Sequence, residues 1–205
     1  MLSALKRELL LFFGVPKNIY LPLSVFSVIF LIFLILDEGQ LFQYASLFIA
    51  SFITVLIISE NTFKDDFLNG YIEKLLCEQS NVFNYFFAKY VTQLMFIFIP
   101  MLGLNFVFGS VPSGMSDASF SFAYLVSLLT LNFFFQLGSV VSVRRNNSLN
   151  ALIIIPLLIP FIILVKGLVV DGMWEPNFYF LMAYFIFGLF FINYLTAKVL
   201  EIQSR

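Results

Sequence analysis

Histidine is absent from this chain, and cysteine occurs once, at Cys77. Without histidine, the usual general base, the commonest metal ligand and the usual axial ligand of haem are all missing. A single cysteine excludes an intrachain disulfide and any multi-cysteine metal cluster. Charge is scarce as well. Eleven basic and 12 acidic residues among 205 leave a net charge of −1, which offers no electrostatic footprint for nucleic acid. What remains is apolar: 61% of residues are hydrophobic and the mean hydropathy is +0.99, values that belong to membrane proteins.

A bilayer core of roughly 30 Å takes about 20 apolar helical residues per crossing. Six runs fit: Ile19–Leu36, Leu41–Ile58, Tyr90–Val111, Phe120–Val143, Leu149–Val170 and Phe178–Ala197. Five carry no charge, and the fifth in order carries only Lys166. Their lengths suit helices, since barrel strands would alternate over about ten residues. The expectation is an all-α integral membrane protein, with residues 1–205 as one domain of six transmembrane helices. Ahead of the first run, Leu9–Phe13 is too short for a signal-peptide core and ends in Gly14-Val15-Pro16-Lys17 without a small-residue cleavage site. Residues 2–13 read instead as an interfacial amphipathic helix, with Leu2, Leu5, Leu9 and Phe12 on one face and Ser3, Lys6 and Arg7 opposite. The alternative is an extension of the first span, against which Pro16 and Lys17 count.

Basic residues give the orientation. Six crossings put both termini on one side, and ten of the 11 Lys and Arg fall there; the loops 37–40, 112–119 and 171–177 carry only acids. The positive-inside rule therefore places both termini and segment 60–89 in the cytoplasm. Trp174, Tyr179 and Tyr184 cluster towards the outer face, while Tyr20 and Tyr194 lie towards the inner one, as interfacial anchors do. The 29 phenylalanines exceed any packing need and are of the kind an AT-rich genome produces, so no cofactor box is read into them.

Several features invite a chemical reading. Gly109 to Ser116 has the spacing of a phosphate-binding loop, but Met115 stands where the lysine must be, so the match is a coincidence. Lys166 is the lone charge inside a run: it either snorkels to the interface, with Asp171 or Glu175 as partner, or meets a substrate. Asn105, Asn132, Gln136 and Asn150 suit bonds between helices. Pro156 and Pro160 each remove a backbone donor and should kink or break the fifth span, either as a structural bend or as a pathway-lining element.

The densest charge lies at residues 60–78, where Glu60, Lys64, Asp65, Asp66, Glu73, Lys74 and Glu78 gather seven of the 23 charges. On a helix, Asp66, Asn69 and Glu73 share one arc, while Phe63, Phe67, Tyr71 and Leu75 follow another. Gly70 should interrupt that helix and leave two short pieces. A solvated face is the plain reading; aromatic anchors beside fixed charges equally suit docking a partner. Asp65 and Asp66 alone make only a weak divalent-ion site.

Glu60, Phe63, Asp66, Gly70, Glu73 and Leu75 reproduce the pattern E-x-x-F-x-x-D-x-x-x-G-x-[IL]-E-x-L. It resembles the cytoplasmic loop of the haem exporter protein B (CcmB) family, the membrane subunit of the cytochrome c maturation ABC transporter. That family's pattern runs on to Lys89, and its P-x-x-I-P arrangement matches Pro156, Ile159 and Pro160, with Arg144 and Arg145 before it. Asn61, often arginine in the family, and Gln79-Ser80-Asn81, in place of a proline-rich apolar continuation, depart from it.

The resemblance implies an ABC-2-type permease half in a bacterial inner membrane, or a mitochondrial one, paired with a second copy and with the ATPase CcmA. It also implies work alongside CcmC and CcmD to load the haem chaperone CcmE. The N-terminal helix would be the interfacial elbow. The loop after the second span, with Glu60, Phe63, Lys64, Asp65, Asp66, Phe67, Gly70, Glu73 and Leu75, would be the coupling loop docking the ATPase. No cofactor is expected on this chain: haem is the substrate of the complex and ATP binds the partner. An ABC-2 exporter for another hydrophobic substrate and a passive scaffold for haem-handling proteins are the rival readings. An intramembrane enzyme is the least supported, for want of a nucleophile and base.

Overall fold

The structure, a computed structural model, describes residues 2–36, 40–77, 82–108, 116–142, 148–169 and 174–204. Within these, the side chains of 2–3, 40–45, 61, 108, 148–154, 169, 174–175 and 204 are excepted. Every element is helical, and no strand occurs among the described residues. Helix α1 spans Leu2–Gly14 and α2 spans Lys17–Leu36. Helix α3 covers Gln40–Thr62, followed by the short α4 (Lys64–Leu68) and α5 (Tyr71–Cys77). Helix α6 (Val82–Gln93) passes through a π turn at Leu94–Phe98 into α7 (Ile99–Phe108). Then come α8 (Asp117–Ser142), α9 (Ser148–Val169) and α10 (Trp174–Phe187), which continues through a second π turn at Gly188–Ile192 into α11 (Asn193–Ser204).

Helices α2, α3 and α8, together with the α6–α7 and α10–α11 stretches, are long and apolar enough to cross a membrane; Ile155–Leu168 is a shorter apolar stretch within α9. The chain is a multi-pass membrane protein. Some helices overrun their apolar runs. Helix α6 starts at Val82, well before Tyr90, and its one charge, Lys89, is neutralised by carboxylates described below. Helix α9 runs without interruption through Pro156 and Pro160.

Helix α8 is the hub. Its span is 83% buried against 17% for α2, and it packs against α3, α9, α10 and α11. In lipid, polar groups need internal partners. Ser51, Thr54, Thr92, Ser127, Thr130 and Thr196 each donate to the carbonyl four residues back, so these hydroxyls cross the core satisfied. Ser51 also bonds Tyr124, at 2.6 Å, tying α3 to α8. Gly188 lets the second π turn approach α8 closely: a Cβ there would lie 2.8 Å from the Phe133 ring.

The charged end is closed by a second, smaller core. Phe63, Ile72, Leu75, Tyr85 and Phe86 pack with Val140 near the end of α8 and Leu200 of α11. Both terminal helices therefore reach this end, α11 through that core and α1 through its packing on α6. Helices α1 and α2 are separate, with Val15 and Pro16 between them, as expected for an N-terminal helix distinct from the first span.

Candidate functional site

The segment 60–77 folds back on the membrane bundle. Helix α3 ends at Thr62, Phe63 turns the chain, and α4 continues for five residues. Asn69 and Gly70 then break the helix: the Asn69 amide bonds the Asp65 carbonyl at 3.0 Å, and Gly70 takes φ +68°, a conformation that costs a Cβ-bearing residue dearly. Helix α5 starts at Tyr71, and the Lys74 amide bonds the Gly70 carbonyl at 3.1 Å. Two short helices joined at glycine are thus the conformation of the charged stretch.

Four ionised side chains from three helices meet beneath it. Asp66 of α4 accepts from Arg7 of α1 through one oxygen; the other takes the Tyr85 hydroxyl at 2.7 Å and Lys89 Nζ of α6 at 2.8 Å. Glu8 of α1 completes the circuit, 2.6 Å from Arg7 and 3.3 Å from Lys89. Arg7 also stacks over the Tyr71 ring at 3.5 Å, and Lys89 lies 5.0 Å from the Tyr85 centroid. The side chains of Glu8, Asp66 and Lys89 are 3%, 7% and 8% exposed, so these are desolvated charges with two positive and two negative partners. Helix α4 lies beyond the apolar run that ends at Ile58. There, burial alone would raise the Asp66 carboxyl. Lys89, with hydrogen bonds from Arg7, Lys89 and Tyr85, outweighs it and holds the group at about 2, below the ordinary 3.8.

The N-terminal helix corrects one expectation. Arg7 does not sit on an outer polar face; it is folded inward to Asp66, and Glu8 is 2% exposed. Meanwhile Leu10, Leu11 and Phe13 are exposed, with Phe13 edge-on to Phe96 at 5.2 Å. The reason is electrostatic: Asp66 and Lys89 are buried against α1, and only its charges can complete them. Glu8 was not singled out from the sequence. It follows Leu5 by three and precedes Phe12 by four, a charge on the apolar stripe, and that placement was the available signal.

The residues of the charged loop divide by direction. Phe63, Asp66 and Leu75 point inward and are buried; Glu60, Phe67 and Gly70 are half-buried; Lys64, Asp65 and Glu73 are exposed, as is Lys74. Asp65 and Asp66 therefore face apart and do not share a site. Leu68 between them and the turn is 73% exposed, an apolar side chain at a charged end that sequence reasoning passed over.

Below the ion network lies an amide cluster. Gln93 accepts from Asn132 at 2.8 Å and Gln136 at 3.0 Å, and donates to Thr62 at 3.3 Å. Asn132 and Gln136 thus bond between helices as expected, with Gln93 the partner the sequence did not reveal. Pro156, Pro160 and Lys166 are not brought to either cluster: all three are exposed on α9, beside Ile155, Ile159 and Ile163. The residues 78–81, 109–115, 143–147 and 170–173 lie outside the described residues. With them go Glu78, most of the phosphate-loop look-alike, Arg144, Arg145 and Asp171, and nothing is described of the Asn61, Asn150, Trp174 and Glu175 side chains. A cavity of about 410 Å³ opens between α1, α2, α3, α4 and α6, beside the ion network.

An apolar bundle of helices, capped at one end by a folded-back pair of short charged helices, defines a polytopic membrane protein with a structured charged loop. The chain is similar to heme exporter protein B of Pseudomonas aeruginosa, with 28% identity over 173 residues that cover 80% of this chain and 77% of that protein. The resemblance read from the loop pattern thus extends along most of the chain. No family model matches the chain, and no solved structure matches it.

Proposed function

We propose that this chain is a non-catalytic permease subunit of a cytochrome c maturation ABC complex. It would sit in the inner membrane with both termini in the cytoplasm, as its ten basic residues on one side favour. The observation that carries the reading is the similarity to heme exporter protein B over four fifths of the chain. The folded loop gives that reading a mechanism. The ion network fastens α4 to α1 and α6, so a push on the loop is delivered to the elbow helix and to the third span together. Outward, the exposed Leu68 offers an apolar contact on a loop whose Lys64, Asp65, Glu73 and Lys74 are exposed as well.

In this reading an ATPase subunit, CcmA, seats the loop in each of two copies of the permease. ATP hydrolysis there drives haem delivery or release of the haem-loaded chaperone CcmE, with CcmC and CcmD as neighbours. Haem is cargo of the complex, and ATP is bound by the partner. The α4–α5 face is the part to perturb. Leu68→Glu combined with Glu73→Lys should abolish co-purification of the ATPase and chaperone release while leaving the bundle folded. Undiminished co-purification and turnover would remove the docking assignment; ATPase capture with normal cytochrome c in a deletion strain would favour an exporter of another substrate.

A further inference from the structure

We propose that the cavity beside the N-terminal helix is a binding site for one zwitterionic phospholipid, of the phosphatidylethanolamine type. The cavity, about 410 Å³, lies where the spans meet the charged end of the bundle, and it has two kinds of wall. One is apolar, with Phe12, Leu21 and Ile57 among its residues. Its rim carries Lys17, Asp65 and Asn69.

Charge decides the class of ligand. Six ionised side chains line the cavity: Arg7, Lys17 and Lys89 are positive, and Glu8, Asp65 and Asp66 are negative. Four of them are already paired in the buried network. That leaves Lys17 and Asp65, both exposed and in no ion pair among the described residues. One unpaired cation and one unpaired anion on the rim of a cavity with no net charge fit a ligand that carries both signs and sums to zero. A phosphate would face Lys17 and a primary ammonium Asp65, with the Asn69 amide oxygen as a further acceptor. Acyl chains would then run along Leu21, which is itself 38% exposed on the outer surface of α2. An anionic headgroup would satisfy Lys17 but repel Asp65. A choline headgroup has no N–H to donate, so it would keep its charge attraction to Asp65 but lose the hydrogen bonds to Asp65 and Asn69.

The test uses the full-length protein, delipidated in mild detergent and supplied separately with dioleoyl phosphatidylethanolamine, phosphatidylcholine or phosphatidylglycerol. Native mass spectrometry and the thermal midpoint are read together. One phosphatidylethanolamine should be retained per chain, at least five-fold more than either other lipid, with a matching rise in midpoint. Asp65→Asn should erase the preference over phosphatidylcholine, and Lys17→Gln should lower retention of both. Because both side chains are exposed, these variants should keep the wild-type midpoint when no lipid is added, which checks their folding. Soluble glycerophosphoethanolamine should not protect, since it leaves the apolar wall uncovered. Equal retention of the three lipids, a preference for phosphatidylglycerol, protection by the soluble headgroup, or an unchanged preference in Asp65→Asn would each overturn the proposal.

Discussion

Removing the Asp66 carboxylate is the sharpest way to probe the charged end. Asp66 receives Arg7, Lys89 and Tyr85, and its side chain is 7% exposed. In Asp66→Ala, Lys89 would be left with Glu8 alone, at 3.3 Å, in a site where it is 8% exposed. Breaking a buried ion pair from one side costs about 3–5 kcal/mol, because the surviving charge stays desolvated. Arg7 is 28% exposed and keeps Glu8, so it can relax towards water and the lower figure applies. A loss of about 3 kcal/mol is roughly a hundred-fold in the folding equilibrium. Equilibrium unfolding of the purified protein in mixed micelles would measure it against Glu73→Ala, an exposed neighbour expected within about 0.5 kcal/mol of wild type. Pairing Asp66→Ala with Lys89→Met adds a stringent arm: the double variant should be less damaged than the sum, by about 0.5–3 kcal/mol. Costs that simply add, or an Asp66→Ala as mild as Glu73→Ala, would refute the network as the fastening of the loop.

Acid should act through the same carboxylate. Its folded value of about 2 lies below its ordinary 3.8, so its stabilisation is complete above about pH 4 and is lost as pH falls through 2. Asp66→Asn should therefore flatten the stability profile between pH 4 and 2 and leave its slope at neutral pH unchanged, as micelle unfolding at stepped pH would show. Gly70→Ala meets no neighbouring atom, so its cost should be the backbone's alone, about 1–2 kcal/mol for φ +68°, with Gly70→Asn milder. Thermal midpoints of the two variants order the effect. Gly188→Ala would place a Cβ 2.8 Å from Phe133 and should cost about 1–3 kcal/mol by overpacking, whereas Gly103→Ala, with open space around it, should be tolerated.

The crossings were legible because a span announces itself over 20 residues at once, and no local exception erases such a signal. The break at Gly70 was legible for a similar reason, since a glycine between short helical patterns has one common use. Direction was harder to read. Nothing in the local spacing says that Asp66 faces the bundle while Asp65 faces away; Arg7, Tyr85 and Lys89 decide it, from 59, 19 and 23 positions along the chain. Glu8 carried a readable sign in its place on an apolar stripe, but its partner is 81 residues distant. Gln93 carried less, because an amide at the edge of a run is ordinary until Asn132 and Gln136 are seen to point at it. The proline pair shows the limit from the other side. A break was one of the two outcomes the spacing allowed, and α9 instead continues as one helix with both prolines on the exposed surface.

The separation between Glu8 and Lys89 bears on how the protein is made. Arg7 and Glu8 leave the ribosome before the lysine that closes their circuit, which follows Glu8 by 81 residues. At synthesis rates of about 5–20 residues per second, that is a delay of roughly 4–16 s. During that interval two spans can enter the bilayer while the amino-terminal helix waits at the surface with its charges hydrated. The helix can settle only once α6 has emerged. A chain stalled before Lys89 would hold Glu8 and Asp66 without the α6 cation that both contact, so the fastening of α4 to α6 forms only after that helix has emerged.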